Sequence, residues 1–292
     1  MLCVRGCGAD RRNQGAGRCG MAEEIRLARA ALHMWEEPCI SGREGSGAVF
    51  FSGCPLGCVF CQNREIALGR RGKAVTAERL AEIFLKLQEE KANNINLVTP
   101  THYVPPVLNA IDRARERGLK IPIVYNTGSY ETTGTVEKLA GYVDIFLPDL
   151  KYFDPEIARR YSAAPDYFEA ASAAVGKMAE IAKEAVFDSR GIMQRGIIVR
   201  HMVLPGHTRD SMRILKYLSD TYGDRIYVSI MNQYTPMPGI EKKYPELGRR
   251  VTRREYEKVL DYAIDLGLTN AFIQEGRTAR ESFIPAFDFS GV

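Results

Sequence analysis

No cysteine occurs after residue 61 of this 292-residue chain. All seven precede it, as Cys3, Cys7, Cys19, Cys39, Cys54, Cys58 and Cys61, a crowding that random scatter does not produce. No apolar run approaches the ~18 residues of a membrane span. The opening MLCVRGCGADRRNQ lacks the apolar core of a signal peptide. Both absences predict a cytoplasmic protein, where thiols stay reduced and clustered cysteines read as metal ligands rather than disulfides. An excess of one charge is missing too: 40 basic against 36 acidic residues leave +4. That balance suits a solvated surface and argues for neither nucleic-acid nor membrane partners. Repeats and low-complexity tracts are absent. With 45% hydrophobic residues over this length, the chain buries a sizeable core without disulfides.

What is present is concentrated in FFSGCPLGCVFCQN, which carries Cys54, Cys58 and Cys61. Three thiolates at CxxxCxxC spacing on one loop can converge on a single metal centre. They supply three ligands where an ordinary four-iron cluster takes four. The missing ligand leaves one iron open for chemistry, as an open position does in catalytic zinc sites.

Residues 1–20 show no periodicity, residues 21–34 read as a helix, and residues 35–47 as a loop rich in turn formers. A strand–helix rhythm follows. Apolar runs of strand length recur at 48–52, 95–99, 121–125, 143–147, 196–203, 226–230 and, more weakly, 271–274. They are continuous rather than alternating, as in parallel strands buried on both faces. Helices are expected at 76–91, 105–117, after Asp154-Pro155, and at 167–187, 208–222 and 252–266. This alternation predicts an α/β fold with right-handed crossovers. Six or seven units are too few for an eight-fold barrel and suit an incomplete, TIM-like (β/α)6 one. The boundary falls between a cysteine-rich N-terminal extension, 1–44, and a partial-barrel domain, 45–292.

Barrel logic puts function at the C-terminal ends of the strands. The first strand, AVFFS, runs straight into Gly53 and the cysteine loop, where Phe51 and Phe60 either shield the metal or pack the core. The second tip offers Thr99, Thr101 and His102, which bind a polar ligand or serve the turn. The third offers Asn126 and Thr127, suited to a ribose or a cation. At the fourth, Asp149 is a ligand candidate and Lys151 its ion-pair partner. Arg200 and His201 interrupt the fifth apolar strand, and one of them points inward. A guanidinium there binds a carboxylate or makes a structural ion pair with Asp149.

The CxxxCxxC loop after an opening strand of an incomplete barrel resembles the radical S-adenosylmethionine superfamily. Asp149-Leu150-Lys151 and the VRHMVLPGH around Arg200 are similar to the pyruvate formate-lyase activating enzymes and a branch homologous to them. The resemblance covers roughly residues 45–240. It implies a [4Fe–4S] cluster on Cys54, Cys58 and Cys61 and S-adenosylmethionine on the open iron, cleaved to a 5′-deoxyadenosyl radical that abstracts hydrogen. It places Arg200 at the methionyl carboxylate or its surroundings, and Asn126, Thr127 and Asp149 near the ribose or a bound monovalent cation; Thr99 and His102 of the second tip are the further cofactor-binding candidates. It also implies a protein or peptide substrate, such as the backbone glycine of a glycyl-radical enzyme, and an electron donor such as flavodoxin or ferredoxin. The chain departs from the family at the second tip, which holds no acidic residue, and at Asn126, where activating enzymes have an acid. The competing readings are a radical enzyme acting on another peptide or a small molecule, an iron–sulfur redox protein without turnover, and a zinc module. The last two give no reason for a barrel with polar strand tips.

The leader CVRGCGADRR…GRCG resembles the cysteine-rich extension of the same branch. A second metal, zinc or iron–sulfur, would use Cys3, Cys7, Cys19 and one of His33 or Cys39. The alternative is a set of reduced cysteines in an unstructured leader.

Overall fold

The computed structural model of the protein describes Cys7, Ala9, residues 16–274 and residues 285–292. Its strands are β1 (Ile25–His33), β2 (Ser46–Phe51), β3 (Lys73–Val75), β4 (Ile95–Val98), β5 (Ile123–Thr127), β6 (Ile145–Pro148), β7 (Val186–Phe187), β8 (Met193–Met202), β9 (Tyr227–Met231) and β10 (Ala271–Ile273). The sheet order is β10-β9-β8-β6-β5-β4-β2-β1-β3, with β7 paired off that path to β8. Every neighbour from β10 to β2 is parallel, so seven parallel strands form an open, partial barrel. These are the seven apolar runs expected from the sequence. β4, β5 and β6 are buried at every position, which is why they show no two-residue alternation of apolar and polar.

The crossover helices form for local reasons visible in the sequence. Thr76 caps Ala77–Glu89 by accepting from the Arg79 amide, and Leu80, Ile83, Phe84 and Leu87 fill its buried face. Asp154 caps Pro155–Ser162 through the Glu156 and Ile157 amides. Thr252 and Glu255 close a reciprocal capping box on Arg253–Asp265. The helix expected over 167–187 stops at Ala182, because Lys183 takes a positive φ of 56°. Val186 and Phe187 then pair with β8.

The helix expected over 21–34 is instead the strand β1. Its Ala, Leu and Arg residues favour helix in isolation, but pairing with β2 and β3 overrides that preference. A register shift between Leu27 and Arg29 puts Leu27 and Ala28 inside consecutively, so no two-residue alternation shows in the sequence. β1 belongs to the 1–44 stretch and β2 to the stretch after it, and the two share one ladder.

The segment after β1 turns back to close the barrel floor. Cys39 and Ile40 pack among Val124, Ile145, Leu147 and Ile198. Glu36 and Glu37 enter with them, and Glu36 accepts from Asn96 of β4 at 2.9 Å.

Candidate active site at the mouth of the barrel

A cavity of ≈ 270 Å³ opens where the parallel strands end. The ladder continues one residue past β4 and two past β6 through backbone bonds: Thr99 to Asn126, Asp149 to Thr127 and Leu150 to Arg200, each 2.8 Å. Strand register thereby sets Thr99, Asn126, Thr127, Asp149 and Arg200 around that cavity. Thr99 adopts φ 59°, rare for a β-branched residue and a form of backbone strain found at ligand sites.

Cys54, Cys58 and Cys61 line the same cavity. Gly53 starts their loop at φ 91°, and a Cβ there would sit 2.3 Å from the Met21 side chain and 2.9 Å from His102 Nε2, so only glycine fits. The loop docks on the C-terminal end of Pro155–Ser162. Val59 donates to the Tyr161 carbonyl at 2.8 Å and Gly57 to the Ser162 carbonyl at 3.4 Å, satisfying carbonyls that a helix end leaves open. Arg18 bridges the two pieces, donating to the Pro55 and Ala163 carbonyls at 3.1 and 2.7 Å. Phe60 is buried edge-on to Tyr152 and Tyr234 and also lines the cavity, so shielding and core packing coincide in one ring.

Burial, with the neighbouring sulfurs Cys58 and Cys61, pushes the Cys54 thiol up. Burial and Cys58 push the Cys61 thiol up to about 11. Without a metal, Cys54 and Cys61 are protonated at neutral pH. Among the described residues no three Cys, His, Asp or Glu side chains converge closely enough for a single metal ion. The three thiols instead border a shared space, a donor set suited to a cluster bound at its corners and unsuited to a lone zinc ion.

Charge on the cavity floor is matched inside the protein. Arg200 donates to Asp149 Oδ1 at 3.0 Å, to Glu36 Oε2 at 3.2 Å and to Asn126 Oδ1 at 2.6 Å. Lys151 Nζ lies 2.5 Å from Asp149 Oδ2. Burial opposes ionisation of Asp149, but Lys151 and Arg200 outweigh it and hold the carboxyl below its ordinary range. The structural ion pair and the inward-facing arginine, alternatives in the sequence, are both present. Glu36 carried no signal in the sequence; it reaches Arg200 only because the loop after β1 folds back.

One residue expected at the site lies elsewhere, and of the pair Arg200 and His201 it is the arginine that points inward. His102 is buried behind the cysteine loop, 2.7 Å from the Ser52 carbonyl, and does not line the cavity. His201 faces away from it, held between the Leu150 carbonyl and Ser211 Oγ at 2.8 and 2.9 Å. Of the leader cysteines, Cys3 lies outside the described residues. Cys7 accepts from the Arg18 amide at 3.4 Å, and Cys19 is buried. Cys39, named as a further ligand, sits in the barrel floor and is removed from any leader site.

Behind the third tip lies Glu131, which the sequence did not single out. It accepts from Tyr125 at 2.6 Å and from Thr127 at 2.7 Å, so the Thr127 hydroxyl is spent inside the protein. Burial, only partly offset by those two bonds, raises Glu131 to about 7, against about 4.3 when unfolded. The folded state therefore holds a proton that the unfolded state releases. Stability falls as pH rises between about 4.3 and 7 and is flat above, a loss on the order of 3 kcal/mol. Glu131→Gln is expected to flatten that limb in thermal melts across pH; an unchanged slope assigns it to other groups.

An open parallel α/β barrel with three thiols at its mouth defines a class of cluster-dependent enzymes. The sequence pattern of the Radical SAM superfamily matches residues 48–218, more than half of the chain, and the protein belongs to that superfamily. The uncharacterized protein MJ0674 of Methanocaldococcus jannaschii is 28% identical over 272 residues, covering 90% of this chain and 73% of that one. The FeFe-hydrogenase maturase HydG of Carboxydothermus hydrogenoformans superposes with a TM-score of 0.53 at 14% identity, over 81% of this chain and 56% of its own. Streptococcus suis SuiB bound to its precursor peptide SuiA gives 0.50 at 16% identity, over 77% of this chain and 47% of its own. At such identities the likeness is one of fold, and the chain spans about half the length of these solved structures. No described helix is long and apolar enough to cross a membrane.

Proposed function

We propose that Cys54, Cys58 and Cys61 hold a [4Fe–4S] cluster, that S-adenosylmethionine occupies the adjoining cavity, and that the protein abstracts hydrogen from a polypeptide substrate. The observation that carries this reading is the shared cavity: three thiols on one side, the polar ends of β4, β5, β6 and β8 on the other. Bound together, the cluster and cofactor supply one-electron cleavage of the sulfonium to methionine and a 5′-deoxyadenosyl radical.

The chain's own residues bind and orient. Arg200 spends three of its donors on Asp149, Glu36 and Asn126. Its remaining two N–H groups have no protein partner among the described residues and suit the methionyl carboxylate. Asn126 spends its carbonyl oxygen on Arg200 and keeps its amide donors for the ribose. Phe51, Phe60 and Leu56 line the walls and keep water from a reactive carbon radical.

A polypeptide substrate is supported by the rim. Leu32, Met34 and Trp35 are exposed side by side in sequence, and Trp35 also lines the cavity. SuiB, a protein of similar fold, is solved with a precursor peptide. The glycyl-radical enzyme remains the finer form of this reading, carried by the DLK and VRHMVLPGH segments, with flavodoxin or ferredoxin as electron source. The test is anaerobic. Protein reconstituted with iron and sulfide, reduced and given S-adenosylmethionine is expected to release 5′-deoxyadenosine. A reducible cluster without that product would sink the radical reading in favour of a redox module.

A further inference from the structure

We propose that Tyr152 and Ser162 form a two-hydroxyl relay that donates to the Cys58 sulfur and raises the reduction potential of the cluster held there. The inference rests on the cluster assignment above. Ser162 is the last residue of the helix Pro155–Ser162 and is fully buried. Its Oγ lies 2.9 Å from Cys58 Sγ and 2.7 Å from the Tyr152 hydroxyl. Tyr152 is likewise fully buried.

The direction of the relay follows from its ends. A metal-bound thiolate carries no proton and only accepts, so Ser162 donates to it. Ser162 has one proton and must then accept from Tyr152. A tyrosine phenol carries its proton throughout the neutral range, so Tyr152 is the donor at the far end of the relay.

The contact is held in place from both sides. The residue before Cys58 and the residue after it, Gly57 and Val59, donate to the carbonyls of Ser162 and Tyr161. Ala163 then ends the helix in the left-handed region at φ 52°. Tyr152 is fixed edge-on against Phe60 and Tyr167. The hydroxyl is thus clamped to the sulfur by the docking of the whole cysteine loop. The other two sulfurs differ: Cys54 and Cys61 receive backbone amides, from Leu56 and Asn63.

Hydrogen bonds to ligand sulfur stabilise the extra negative charge of the reduced cluster more than the oxidised form, which raises its potential. In a buried site the effect is not diluted by water. Ser162 and Tyr152 are positioning residues, since they act through Cys58.

The experiment is a redox titration of the reconstituted holoprotein followed by electron paramagnetic resonance. Ser162→Ala is expected to shift the midpoint to more negative potential at unchanged iron content. Tyr152→Phe should shift it in the same sense by less, and Ser162→Thr, which keeps the hydroxyl, should restore the wild-type value. A wild-type midpoint in fully loaded Ser162→Ala overturns the relay. If that variant fails to fold or load, Tyr152→Phe decides: a negative shift supports the relay and an unchanged midpoint overturns it. Failure of the wild type to take up iron and sulfide overturns the cluster assignment, and the relay with it.

Discussion

Replacing Cys58 with alanine is expected to reduce 5′-deoxyadenosine production to background while leaving the fold in place. The two halves of that expectation have separate causes. Cys58 is one of three sulfur donors on the cavity, and a cluster already one ligand short of four tolerates no further loss. The loop's geometry depends on other groups: Gly53, the Arg18 bridge and the two amides docked on the helix end. Cys58 itself is only partly buried and packs at the edge of the main core, so its truncation removes little apolar area.

The expected loss of stability is about 1 kcal/mol, the net value of one hydrogen bond from Ser162. Ser162 keeps Tyr152 as a partner and is not stranded. Iron content, circular dichroism melts and product formation on the same preparation separate these effects. Full cleavage by Cys58→Ala would remove the thiol from the cluster. Loss of the fold would mean that the loop is structural before it is chemical.

How much of this was legible depends on the range of the interaction. The seven parallel strands and the helix starts at Thr76, Asp154 and Thr252 are local patterns, and each appears where the sequence places it. The cysteine loop was legible because ligand spacing is a local property. β1 was not, because its strand state comes from pairing with residues 46–51 and 73–75, and its bulge erases the alternation. Glu36 and Glu131 were invisible for a related reason. Nothing adjacent in sequence marks a glutamate that will meet Arg200 from 164 residues away, or one buried under a strand tip. His102 misled because a histidine just past a strand end suits a ligand site and a buried turn equally. The bond from its ring to the Ser52 carbonyl is a tertiary choice between the two.

Arg200→Met is expected to lower stability by about 3–5 kcal/mol, because it leaves buried Asp149 and Glu36 without their shared counter-charge. In a protein of this size that is a fall in Tm on the order of 10 °C. The loss comes from the stranded carboxylates more than from the missing arginine, since methionine fills comparable space. Asp149 retains Lys151 at 2.5 Å, whereas Glu36 retains only the Asn96 amide among its described bonds. Adding Glu36→Gln to Arg200→Met should therefore recover part of the stability, and adding Asp149→Asn, which strands Lys151 in turn, should not. A double variant no more stable than Arg200→Met would assign the cost to packing instead of charge. Cofactor binding gives the second readout. With the fold rescued by Glu36→Gln, affinity for S-adenosylmethionine should remain weakened by about 1.5–3 kcal/mol, the worth of a charged hydrogen bond. Restored affinity would make Arg200 part of the barrel floor alone, holding Asn126 and Asp149 in position without touching the cofactor.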